Sequence, residues 1–105
     1  MSIKSKSNDA LKTLEAISGK KLTLGALLSA IRQGEELSQV EFALKLGISK
    51  QYLCDVEHGR RFVSPKTAVE YAKKLGYSPH QFVRLCLQDM VRRDGINLTV
   101  DVKAA

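Results

Sequence analysis

The stretch from Ser49 to Arg61, SKQYLCDVEHGRR, concentrates side chains that make directional hydrogen bonds. Gln51 holds an acceptor and two donors in one plane, the pattern that pairs bidentately with adenine N6 and N7. Lys50 can donate to guanine O6 and N7, and Asp55 can accept from cytosine N4. A good bidentate pair discriminates against the wrong base by about 1–3 kcal/mol. Arg60 and Arg61 follow at once and suit phosphate oxygens, which give affinity and register without sequence information. This is chemistry of recognition. Bond-making chemistry is not indicated, because no serine, cysteine or histidine stands in a nucleophile motif and no glycine loop suits a phosphate. Cys54 and His58 are four apart, and His80 and Cys86 lie further on, without the close cysteine spacing of a zinc site. Neither an enzyme, a metal nor a cofactor is expected.

Such a row is useful only if a helix carries it clear of the body. Ser38 with Glu41 three residues on forms a capping box, Phe42, Ala43 and Leu46 supply a buried face, and Gly47 ends the run. Ser49 caps the next helix, in which Leu53 and Val56 point inward and Gly59 marks the end. Two short helices around a glycine corner make a helix-turn-helix. Ala43 lets them approach, Gly47 can take positive φ, and Ile48 plugs the corner. Lys50, Gln51, Tyr52, Asp55 and His58 then face outward, on a helix able to enter a major groove.

The remaining elements form the support. Leu24, Leu27, Leu28 and Ile31 trace one face of an earlier helix that ends at Gly34. A fourth starts at Ser64 and Pro65, buries Ala68, Val69 and Ala72, and stops at Gly76; a fifth runs from Ser78 and Pro79 to about Arg93. The fold class is therefore all-α, with a five-helix domain over residues 22–94. Before it, residues 1–21 read as a basic arm with a short amphipathic helix marked by Leu11, Leu14 and Ile17. After it, in residues 95–105, Leu98, Val100 and Val102 alternate with Thr99 and Asp101, a strand signal with no second strand to pair with.

Composition agrees with one domain and an acidic partner. The 105 residues are 44% hydrophobic and carry 17 Lys and Arg against 11 Asp and Glu, a formal charge of +6. There is no N-terminal apolar run of signal-peptide length and no apolar segment of about 18 residues, so a cytoplasmic protein with two free thiols is expected.

The strings LSQVEFALKLGIS, YLCDVEHGRR and AVEYAKKLGYSP stand in an order and spacing by which Leu24 to Phe82 resembles the phage-repressor/Cro (XRE-like) helix-turn-helix family. The resemblance implies a repressor-like domain bound to double-stranded DNA. It implies that Gln39 begins the second helix, binds a phosphate and braces the recognition helix, and that Lys50, Gln51 and Asp55 face base edges. It also implies a structural pair, Arg32 with Glu57, that fixes the recognition helix. The candidate DNA-binding residues are thus Gln39, Ser49, Lys50, Gln51, Tyr52, Asp55, Arg60 and Arg61. Several keep two readings. Lys50 with Arg60 and Arg61 can be a solvated basic face; Tyr52 can touch DNA or pack on the second helix; Asp55 can read bases or neutralise Lys50 and Arg61.

A single short recognition helix reads few base pairs, so a homodimeric repressor on a palindromic site is expected, with half-sites about 34 Å apart. From Phe82 to Val91 seven of ten residues are apolar, more than one buried face needs. This makes the fifth helix the candidate interface, through Phe82, Leu85, Cys86 and Met90. Leu98, Val100 and Val102 would join it by pairing with their two-fold mates in a small sheet. The alternative is an antitoxin that neutralises a protein toxin and represses its own operon, the toxin taking the orphan strand by β-augmentation. A non-specific nucleoid binder fits less well, because the face carries Gln51 and Asp55 as well as cations.

Overall fold

The computed structural model describes residues 22–105. The expected N-terminal arm and its amphipathic helix lie outside the described residues. Within them stand five α-helices: α1 (Leu24–Gly34), α2 (Gln39–Leu46), α3 (Lys50–Glu57), α4 (Pro65–Leu75) and α5 (Pro79–Arg93). Each begins where a hydroxyl side chain accepts from its own first turn: Thr23, Ser38, Ser49, Ser64 and Ser78. At Ser38 the box is complete, and the backbone and hydroxyl hydrogen bonds from Ser38 hold the Glu41 carboxyl below its ordinary range.

The helices close over Phe42, Leu46, Leu53, Ala68, Phe82 and Leu85, all essentially without solvent contact. The pair α4 and α5 forms the body, and α3 is held against α1 and α2. Two glycines set the geometry. Gly47 has φ 75°, the left-handed conformation that ends α2 and turns the chain into α3. Gly25 serves by its bareness: a Cβ there would strike the carbonyl oxygen of Val56, so the first turn of α1 lies directly on the last turn of α3.

The expected C-terminal strand is absent. Residues 96–105 join no ladder, because a side chain satisfies the backbone that a second strand was expected to satisfy. Gln88, fully buried on α5, donates from Nε2 to the carbonyl of Leu98 at 2.8 Å and accepts the N–H of Val100 at Oε1 at 2.7 Å. A single residue of a parallel neighbouring strand would offer the same pair of bonds. His80 Nε2 lies 2.6 Å from the carbonyl oxygen of Val102 and fixes the segment further along. The tail thus finds its partners inside its own chain.

The expected interface on α5 also needs correction. Phe82, Leu85 and Cys86 belong to the core of the single chain, and the Cys86 thiol donates to the Val63 carbonyl at 3.1 Å. Those three side chains therefore have no surface to offer a second copy. Met90 is half-buried against the same core, Val100 and Val102 are half-buried, and Leu98 is 67% exposed.

Candidate nucleic-acid interface

The direction of α3 depends on one carboxylate. Glu57, in its last turn, has a side chain only 4% exposed and accepts from Arg32 Nε at 2.9 Å, from Arg32 Nη2 at 3.2 Å and from Gln39 Nε2 at 3.1 Å. Arg32 comes from α1 and Gln39 opens α2, so three helices meet at this acceptor. Arg32 Nη1 also donates to the Leu37 carbonyl at 3.1 Å, which ties in the loop before α2. A bidentate arginine fork is geometrically strict, and it sets the angle of α3 as well as its position. Lys74 on α4 donates from Nζ to the Leu46 carbonyl at 2.8 Å and secures the corner from behind.

Held in this way, α3 presents Ser49, Lys50, Gln51 and His58 to solvent, with Cys54 and Asp55 half-exposed beside them. Ser49 Oγ caps the helix by accepting the Tyr52 N–H at 3.0 Å. Asp55 is the hub of the face: Gln51 Nε2 donates to its Oδ1 at 3.1 Å, and so does Arg60 Nε, also at 3.1 Å. Its charged neighbour is Arg60, at 3.0 Å, where one of the two sequence readings has it neutralise Lys50 and Arg61. The hydrogen bond that Arg60 donates to Asp55 raises the pKa of its guanidinium above the ordinary value. Arg60 is also anchored through its backbone, its N–H donating to the Asp55 carbonyl at 2.8 Å.

Tyr52 packs its ring against the core, and the guanidinium of Arg61 stacks on that ring at 4.7 Å. This contact holds Arg61 alongside α3. Cys54, considered in the sequence only as a metal ligand, sits among these groups: Arg60 Nη2 and His58 Nδ1 are each 3.5 Å from its sulfur. Among the described residues no group of three metal-ligating side chains converges.

The whole arrangement can offer donors, an acceptor and cations on one short exposed helix whose angle is fixed from inside. Among the described residues no helix is long and apolar enough to cross a membrane. A family model described as helix-turn-helix matches residues 28–82, just over half of the chain. The ImmF control region 10 kDa protein of Bacillus phage phi105 is 47% identical over 51 residues, which make up 49% of this chain and 54% of that protein. The match thus spans about half of that relative's length. No solved structure matches significantly.

Proposed function

Since the chain belongs to the phage-repressor/Cro (XRE-like) helix-turn-helix family, and is thereby a DNA-binding transcriptional regulator, we propose that it is a repressor acting as a homodimer on a palindromic operator. The observation that carries this reading is the shared acceptor Asp55, which pre-orients Gln51 and Arg60 on the exposed side of α3. In this reading Gln51 and Lys50 address base edges, while Gln39, Ser49, Arg60 and Arg61 address the backbone. Tyr52 works through Arg61, which it keeps at the edge of the helix. The similarity to a phage control-region protein favours a repressor over a toxin-binding role.

The homodimer is proposed through what α5 and the tail leave accessible, Met90, Leu98, Val100 and Val102, without pairing of tails into a sheet. Selection of bound duplexes from a random pool tests the function directly. An enriched palindrome with half-site centres one helical turn apart, about 34 Å, supports it. Recovery of unrelated sequences at every salt concentration would show that the face does not read bases.

A further inference from the structure

The arginines around α3 are positioned in two different ways. Arg32 and Arg60 are held by carboxylates, those of Glu57 and Asp55. Arg61 and Arg93 are held by rings: the Arg61 guanidinium lies 4.7 Å from the centre of the Tyr52 ring, and the Arg93 guanidinium lies 4.5 Å from the centre of the Phe62 ring. A ring fixes a cation without bringing an opposite charge to it. Arg93 Nε stands 4.0 Å from Asp94 Oδ1, beyond hydrogen-bond reach, and the two side chains are 48% and 66% exposed. Its neighbour Arg92 is spent by contrast, since Nη1 donates to the Leu22 carbonyl at 3.0 Å and lies 3.6 Å from Asp89 Oδ1.

The two ring-held arginines share one surface. Phe62 follows Arg61 in the chain, and Arg61, Phe62 and Arg93 line the same opening between the end of α3 and the last turn of α5. Phe62 is 38% exposed, a large apolar side chain kept at the surface where it carries the cation. We propose that Arg93 is a further contact to the DNA backbone: α5, outside the helix-turn-helix, sets a second cation beside Arg61, and the two bind phosphates along one edge of the groove that α3 enters. The inference rests on the reading of Arg61 as a backbone contact. Phe62 is then a positioning residue, which acts on DNA only through Arg93. Because a phosphate contact carries no sequence information, Arg93 adds affinity and register and leaves base preference as it is.

The test is the salt dependence of binding by the full-length protein to a mixed-sequence duplex about three helical turns long, followed by anisotropy. Arg93→Gln keeps a stem on the Phe62 ring and removes the charge. It is expected to lower the slope of log association constant against log salt by about 0.9, the share of one phosphate, and to weaken binding about tenfold near 0.1 M salt. Arg93→Lys should restore the slope, because a phosphate also accepts a point charge. Phe62→Leu should keep the slope and lose about threefold in affinity, since the charge remains but its side chain must be ordered on binding. Lys103→Gln removes the same charge from the tail, next to the residue that His80 ties to the opposite end of α5, and should keep the wild-type slope. A wild-type slope in Arg93→Gln, or an equal fall in both Gln variants, would overturn the inference and leave the reading of α3 standing. Salt-independent binding by the wild-type protein would overturn both.

Discussion

Asp55 accepts from two side chains to which the proposed function gives different tasks, and this makes its removal informative. Gln51→Ala should weaken operator binding and relax preference at one base position, a loss of about 1–3 kcal/mol on the preferred sequence alone. Arg60→Ala should weaken binding to all sequences alike and lower the salt slope by about one. Asp55→Ala touches both, because it frees the Gln51 amide and the Arg60 guanidinium to rotate. A double-mutant cycle between positions 51 and 55, read by anisotropy on operator and scrambled duplexes, should therefore be non-additive. Strict additivity would mean that the hydrogen bond between them contributes nothing to recognition.

At the scale of the element, the recognition helix is only as well aimed as its supports. Arg32→Ala leaves the buried Glu57 carboxylate with Gln39 as its remaining side-chain donor, and should cost about 3 kcal/mol of folding stability. Denaturant unfolding measures it, and an unchanged midpoint would remove Arg32 from the supporting set. Gly25→Ala should cost about 1–3 kcal/mol, since the added methyl must push α1 away from the Val56 carbonyl. The beginnings and ends of these helices were legible in the sequence because hydroxyl caps and terminal glycines are local signals. Gly25 was not legible, because its neighbour is 31 residues away and nothing adjacent in the chain reports the contact. Gln88 left a partial sign: it is a polar residue on the inward face of an otherwise apolar run. Such a residue needs partners, but periodicity alone could not show that they were Leu98 and Val100. For the same reason the alternation in the tail signals a strand, and the apolar excess of α5 an interface between copies.

At the scale of the whole molecule, the junction of α1, α3 and α5 holds a carboxyl whose titration is linked to folding. Burial raises the Asp89 pKa above the ordinary carboxylate value, against the opposing pull of the Leu24 N–H and Arg92. A raised folded-state pKa means that the folded protein holds the proton more tightly than the unfolded chain. The resulting stability is fully present below the unfolded value and is lost as pH rises through the folded one. Asp89→Asn has no such loss. Unfolding of both proteins between pH 4 and 7 should show the balance moving toward the variant as pH rises; a constant difference would mean that Asp89 stays ionised in both states. Dimerisation is decided at this scale too. Leu98→Asp, which adds a charge to an accessible residue of the tail, should shift sedimentation toward the monomer and weaken operator binding while leaving α3 intact. An unchanged dimer would place the interface elsewhere.

The grip of Gln88 on the tail also creates a built-in clock. Among the described residues, the amides of Leu98, Thr99 and Asp101 have no acceptor, so they should exchange with solvent deuterium at nearly the rate of a free peptide. Val100 donates to Gln88 Oε1, and Val102 only to the neighbouring Asp101 carboxylate. One slow proton should therefore stand in a fast-exchanging segment, and its lifetime counts how often the tail lets go of α5 without unfolding of the core. Gln88→Leu should bring Val100 to the pace of its neighbours while the amides of α4 and α5 keep theirs.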